Sequence, residues 1–374
     1  MNSAYIHIPF CKSICSYCDF CKMYINDKFT RPYLEALKSE IEEKYQGEEL
    51  KTLYIGGGTP SALSINDLRY LLEITKLFKL SNDVEFTFEC NLNDIDEDML
   101  SVLKEYKVNR LSIGIESFNK KKLEFMNRYH TFEDAQNRIN LCRHYGFNNI
   151  NVDLIYGIPK EKISTLKKDI KQLLKLNVEH ISTYSLIIED NTIVGINNTL
   201  PIEEDLDEAM YTTICNLLKK NNYKHYEISN FAKEGYESKH NINYWLNNNY
   251  YGFGLSSHGY IGNIRYENTK NINKYIKKEY VASEQLLSTS DDMDNTIMLG
   301  FRLIDGINLN DFYNRYNTNL QEAYNIQKLL DEKKLLYKDG YLKINPKYIY
   351  VMNEILIQII WINIFYWNNG TIIL

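Results

Sequence analysis

Directly after the β-prone run Tyr5-Ile6-His7-Ile8-Pro9-Phe10 the chain places Cys11, Cys15 and Cys18 at the spacing C-x3-C-x2-C. No other feature constrains the fold as strongly, because a loop with three thiols at this spacing must either wrap a metal centre or bury them all. A [4Fe–4S] cube normally takes four cysteine ligands. Three thiolates can hold three of its irons and leave the fourth with an open coordination site. Cys21 keeps a second reading open. It raises the local thiol count to four, the number a structural zinc site prefers, and Cys15, Cys18 and Cys21 follow each other in C-x2-C steps. Cys90, Cys142 and Cys215 are scattered, so the seven cysteines read as a metal loop plus buried thiols, not a disulfide framework.

The first half of the chain alternates short β-rich runs with longer helical ones. Strands are predicted at Tyr5–Ile8, Thr52–Ile55, Glu85–Glu89, Arg110–Ile115, Asn151–Ile155 and His180–Leu186. Helices are predicted between them, among others at Arg31–Tyr45, where Leu34, Leu37 and Ile41 share a face, at Asn66–Phe78 and at Ser164–Leu176. Such alternation implies parallel strands joined by right-handed crossovers. Six units predict an α/β architecture, a partial (β/α)6 barrel over residues 1–220 with functional residues at the strand C-termini. A further helix is predicted at Glu203–Lys220. Residues 221–270 form an aromatic, Asn- and Gly-rich extension. Residues 271–355 read as a smaller, mainly helical domain with a β-like close at Gly340–Ile344, and residues 356–374 as an apolar tail.

Hydrophobic residues make up 44% of the chain and charged ones 25%, the profile of a globular protein, and the net charge of −6 gives no basic field for nucleic acid. No apolar signal-like segment precedes the cysteine motif, so a cytoplasmic location is expected. Ile355–Trp367 is nearly all apolar but shorter than the roughly 20 residues a membrane span requires. It reads as a terminal helix, with an interfacial membrane contact as the alternative.

Further motifs follow the cysteines. Gly56-Gly57-Gly58-Thr59 comes directly after the second strand, where consecutive glycines let backbone approach a ligand closely, or simply make a tight turn. Glu89 and Glu116 close the third and fourth strands, Asp153 lies in the fifth, and Arg128 follows Glu116 at a distance that allows an ion pair. Lys239-His240-Asn241-Ile242-Asn243-Tyr244-Trp245 combines an imidazole with two flat rings, which suits either a packed corner or a macrocycle with its metal. Gly252-Phe253-Gly254-Leu255-Ser256-Ser257-His258-Gly259 is a second glycine-rich run.

Taken together, Tyr5-x-His7-x-Pro9-Phe10-Cys11, the C-x3-C-x2-C spacing and the aromatic Tyr17 resemble the coproporphyrinogen-dehydrogenase-like branch of the radical SAM superfamily. The resemblance implies that Cys11, Cys15 and Cys18 hold a [4Fe–4S] cluster whose open iron is chelated by S-adenosylmethionine (SAM). It implies SAM contacts at Tyr5, Tyr17, Gly57, Gly58, Thr59, Glu89, Glu116, Arg128, Asp153 and His258, although this branch usually has Gln where the chain has Glu116. H-N-x-x-Y-W resembles the haem-contacting motif of haem chaperones within the branch, which implies haem contacts at His240, Tyr244 and Trp245.

Two functions compete within that resemblance. One is an oxygen-independent coproporphyrinogen III dehydrogenase of porphyrin biosynthesis. The other is a haem chaperone, whose partners are a one-electron donor and the apo-proteins that accept haem, with a homodimer possible. Phe20 occupies the place where the dehydrogenases carry a fourth cysteine, only ten residues precede the cluster motif, and the haem-type histidine motif is present. These features favour the chaperone, and no residue is assigned a catalytic role.

Overall fold

A computed structural model describes residues 2–360. All six predicted strands form: β1 (Ser3–Ile8), β2 (Leu50–Gly57), β3 (Leu80–Asn91), β4 (Arg110–Glu116), β5 (Ile150–Tyr156) and β6 (His180–Ser185). They lie side by side in sequence order and all pair in parallel. The helices α1 (Asp27–Lys44), α2 (Ile65–Ile74), α3 (Glu97–Glu105), α4 (Phe132–His144), α5 (Ile163–Lys175) and α6 (Glu204–Lys220) form the crossovers and the final cover. Four of them start where the sequence offers a cap. Asn26, Ser64, Asp96 and Thr131 each accept a backbone N–H of the first turn, and Thr131 completes a capping box with Asp134.

The strands alternate strictly between two faces. Ala4, Ile6 and Ile8, Leu53 and Ile55, Phe86 and Phe88, and Leu111, Ile113 and Ile115 are buried on one face. The other face of the same strands carries Tyr5 and His7, Thr52 and Tyr54, Glu85, Thr87 and Glu89, Arg110 and Ser112, Asn151 and Asp153, and His180 and Ser182. Pairing brings these polar positions into rows, because Tyr5 stands opposite Tyr54, Tyr54 opposite Thr87 and Thr87 opposite Arg110. The inner face of the sheet is therefore a polar lining.

Three further strands extend the sheet and leave it open. β7 (Lys224–His225) and β8 (Asn230–Ala232) continue beyond β6, with β8 antiparallel to it. β9 (Tyr251–Phe253) adds in parallel to the free edge of β1, giving the order β9-β1-β2-β3-β4-β5-β6-β8-β7. No closed barrel forms among the described residues. The glycine-rich run around β9 serves packing: a Cβ on Gly252 would lie 1.8 Å from the His258 carbonyl oxygen, so only glycine fits there.

The first compact unit comprises the chain up to His225, Ser229–Asn243 and Asn248–Leu286. It therefore includes an antiparallel three-stranded sheet of His258–Ile261, Ile264–Asn268 and Val281–Leu286. Among the described residues the second unit comprises Tyr226–Ile228, Tyr244–Asn247 and residues 287–360. Its helices Thr289–Gly300, Leu309–Tyr316 and Met352–Ile359 surround a core that includes Ile297, Phe301, Phe312, Leu342 and Ile355. The unit also holds a three-stranded sheet, of which the sequence pattern indicated only the strand Tyr341–Ile344. The apolar stretch predicted at Ile355–Trp367 begins inside the last of these helices, where Ile355, Leu356 and Ile359 are buried. Beyond residue 360 it lies outside the described residues. Among the described residues no helix is long and apolar enough to cross a membrane.

Candidate functional site

The cysteine loop is tied down at both ends. After β1, Phe10–Cys11 pairs in parallel with Met23–Tyr24, with Met23 N–H donating to Pro9 O at 2.7 Å and Ile25 N–H to Cys11 O at 3.0 Å. Midway, Ser16 Oγ donates to Phe125 O at 2.6 Å and Asn127 Nδ2 to Ile14 O at 2.9 Å. Cys11 is buried, while Cys15 and Cys18 are half-buried. The glycine turn packs directly on this loop. Gly58 N–H donates to Ile8 O at 2.8 Å, and Thr59 Oγ1 donates to Cys11 Sγ at 3.4 Å. Cys21 is half-buried, and its carbonyl oxygen lies 2.8 Å from His7 Nε2.

Carboxylates line the adjoining strand ends. Glu89 is gripped twice: Gly57 N–H donates to Oε2 at 2.9 Å and the Tyr54 hydroxyl to Oε1 at 2.7 Å. A Cβ on Gly56 would fall 2.7 Å from the Glu89 carboxyl carbon, so the glycines make room for the acid. Burial pushes the Glu89 carboxyl up, and these two donors hold it back. Glu116 sits at a bulge with φ +67° and pairs with Arg128, Oε1 to Nη2 3.1 Å. Arg128 Nη1 donates to Gly114 O at 2.8 Å, and Tyr17 shares the guanidinium's surroundings. Asn151 Nδ2 donates to Asp153 Oδ1 at 2.8 Å. Burial first, and then the Glu116 carboxylate, push the Asp153 carboxyl up to about 7.

The turn after Glu116 has its own support. Lys122 Nζ bonds Glu161 at 2.6 Å and Asp169 at 3.0 Å, and Asp169 accepts from Ser117 Oγ at 2.7 Å. All three charges are buried.

Tyr5, Tyr17, Gly57, Gly58, Thr59, Glu89, Glu116, Arg128 and Asp153 thus come from separate strands and loops of the first unit. His258 begins the His258–Ile261 strand, its side chain is 40% exposed, and it has Glu267 at 3.9 Å, which also pairs with Lys270. The haem motif is placed differently from its expected presentation to a macrocycle. His240 is 1% exposed on the inner face, its Nδ1 2.8 Å from Thr52 Oγ1 and its ring stacked on Tyr54 at 5.1 Å. Burial first, and then Arg110, push its pKa down to about 3, so the imidazole is neutral. In the second unit Trp245 is buried with the Arg302 guanidinium 5.4 Å from its ring centroid, and Tyr244 is half-buried. The sequence reasoning passed over Thr52, Tyr54, Glu85 and Arg110. Their signal was polar residues at every second position of strands that are otherwise apolar.

The residues fit two of the cofactors that the motifs imply, the cluster and SAM, but around His240 they present no open face to haem. Three soft thiols share one anchored loop beside a turn that offers backbone and a hydroxyl. Among the described residues no three His, Cys, Asp or Glu side chains converge on a point that a single metal ion could occupy. Glu89 presents a fixed carboxylate for a cationic group. Arg128 Nε is buried without a partner and remains a donor for an anionic one.

Comparison with known proteins agrees with this geometry. Residues 5–173 match the radical SAM superfamily and residues 287–351 match the HemN C-terminal domain. The chain is 39% identical over 349 residues to the heme chaperone HemW of Lactococcus lactis, covering 90% of this chain and 91% of that protein. It is 37% identical over 356 residues to the heme chaperone HemW of Bacillus subtilis, covering 90% and 93%. The chain belongs to the HemW family. This chain superposes on coproporphyrinogen III oxidase (HemN) from Escherichia coli with a TM-score of 0.84 at 20% identity, covering 95% of this chain and 89% of that one. At that identity the likeness shows the fold alone.

Proposed function

We propose that this chain is a haem chaperone of radical SAM type, which binds a [4Fe–4S] cluster, SAM and haem and passes haem to apo-proteins. The observation that carries the proposal is a three-cysteine loop packed on a glycine turn that also grips Glu89, in a chain similar along nine-tenths of its length to heme chaperones HemW. Cys11, Cys15 and Cys18 would hold the cluster, with Thr59 donating toward Cys11. Gly57 and Tyr54 fix Glu89 where a cationic group of SAM would meet it, with Tyr5 beside them. Arg128 offers Nε to an anionic group, and Glu116 keeps the guanidinium in place. Asp153 deepens the acidic wall. The bound cluster supplies one-electron chemistry, for which the protein needs an external donor.

His240 would reach haem iron only after leaving Thr52, because its ring is buried where it stands. Phe20, 48% exposed, takes the place of the dehydrogenases' fourth cysteine, which weighs against coproporphyrinogen conversion. Anaerobic reconstitution followed by haemin titration and a coproporphyrinogen assay tests the proposal. Saturable haemin binding without porphyrinogen conversion is expected; conversion without haemin affinity overturns it.

A further inference from the structure

The cysteine loop and Arg128 hang from one short helix. Lys120–Phe125 is capped by Asn119, whose side chain accepts the Lys121 and Lys122 N–H groups. Its far end holds the middle of the loop: Phe125 O accepts from Ser16 Oγ at 2.6 Å, and Met126 O from Ser16 N–H at 3.2 Å. Ser16 lies between Cys15 and Cys18. Leu123 O accepts the Arg128 N–H at 2.8 Å, so the same helix sets where the guanidinium starts. Tyr17 packs on the apolar cluster of Leu123, Met126, Ile155, Ile158 and Leu186. A helix of six residues has little stability of its own, so its place is decided by what seats it.

Lys122 seats it. Nζ donates to Ile155 O at 3.0 Å, to Glu161 Oε1 at 2.6 Å and to Asp169 Oδ2 at 3.0 Å. An ammonium has three donors, and all three are used. Ile155 stands two residues beyond Asp153 in β5. Asp169, in α5, also accepts from Ser117 Oγ at 2.7 Å and from Phe118 N–H at 3.1 Å, in the turn directly after Glu116. Glu161 accepts the Ile158 N–H at 3.2 Å in the loop after β5. Lys122 therefore joins the helix, the Glu116 turn and the end of β5. A buried ammonium between carboxylates adds little net stability, because desolvation offsets the attraction. Its bonds do have fixed directions.

We infer that Lys122 is a positioning residue for SAM, holding the helix that carries Ser16 and Arg128 in register with the strands that carry Glu116 and Asp153. The inference rests on the proposed reading of the cysteine loop and these strands as the cluster and SAM site. Lys122 is 5% exposed and spends its donors inside the fold, so it acts through Arg128, Tyr17 and the loop without touching the ligand.

The test uses the full chain with its cluster reconstituted. Urea midpoint, SAM affinity by equilibrium dialysis, and the electron paramagnetic resonance spectrum of the dithionite-reduced cluster with and without SAM are measured on folded, cluster-loaded protein. Lys122→Met keeps the length and removes the bonds. Asp169→Asn keeps the ammonium with Glu161, but offers one oxygen where the carboxylate used two. It decides the matter if Lys122→Met does not fold. Both are expected to bind SAM about tenfold more weakly, the scale of one charge-assisted hydrogen bond, with a smaller SAM-induced spectral change. Glu179→Gln is the control. Glu179 pairs with Arg143 at 2.8 Å just before β6, at the end of the sheet away from the cysteine loop. Its loss is expected to lower the urea midpoint and leave SAM affinity unchanged. Wild-type SAM affinity and spectral change in folded Asp169→Asn overturn the inference, and so does an equal loss of affinity in Glu179→Gln. Wild type that loads a cluster but neither binds SAM nor changes its spectrum with SAM removes the SAM reading itself, and the role of Lys122 with it.

Discussion

Gly58 lies so close against Cys11 that a Cβ at that position would stand 3.0 Å from the cysteine sulfur, with the Pro9 carbonyl carbon at 2.8 Å. The glycine turn and the cysteine loop are thus one packed body, although more than forty residues separate them in the chain.

Gly58→Ala should therefore damage the metal loop from a distance in sequence. Backbone has to move to admit the methyl group, at a cost of about 1–3 kcal/mol. Iron and sulfide content after reconstitution should fall well below wild type. Full cluster loading at unchanged thermal stability would show that the loop has slack that this packing denies.

Cys15→Ala should abolish the broad visible absorbance of a reconstituted cubane, whereas Cys21→Ala should retain it. Cys21 engages the fold through its carbonyl, which survives the substitution. Loss of the spectrum in both variants would instead favour a four-thiol site.

Glu116 and Arg128 form a buried pair, with side-chain exposures of 7% and 13%. Glu116→Ala leaves a buried guanidinium without its carboxylate and should destabilise the fold by about 3–5 kcal/mol. Glu116→Gln keeps an acceptor and should cost less. Urea midpoints for the two variants provide the check, and an Ala variant as stable as wild type would remove the pair from the list of supports.

Stability should also carry the signature of a histidine kept neutral. His240 titrates at about 3 in the fold, against about 6.5 in an unfolded chain. The unfolded state binds a proton across that interval and the native state does not. The associated stability is complete above pH ~6.5 and is lost as pH falls toward ~3, at about 1.4 kcal/mol per pH unit. Between pH ~7 and pH ~5 the wild type should lose about 2 kcal/mol relative to His240→Phe, whose other titrating groups are shared. A pH-independent gap in denaturant melts would mean that the imidazole is already charged or exposed.

Much of the architecture was readable because local pattern and tertiary role coincide. β4 had to be a strand with Leu111, Ile113 and Ile115 on one side, and α1 had to be a helix with Leu34, Leu37 and Ile41 on one face. β9 was not readable: Tyr251–Phe253 is three residues long with a glycine at its centre, and its only reason to be a strand is the unpaired edge of β1. The partners of His240 were equally hidden. Thr52 lies 188 residues away, and nothing in H-N-x-x-Y-W indicates which way the imidazole faces.

By itself the sequence determined the thiol loop and the succession of strand and helix. Cysteines three and four positions apart cannot avoid sharing a loop, and periodicity is a property of neighbouring residues. Only the tertiary structure decided that Glu89 is held jointly by Gly57 and Tyr54, that Glu116 meets Arg128, and that His240 is an interior group. Those outcomes depend on strand register and on which buried polar groups find partners, and both are settled between segments far apart in the chain.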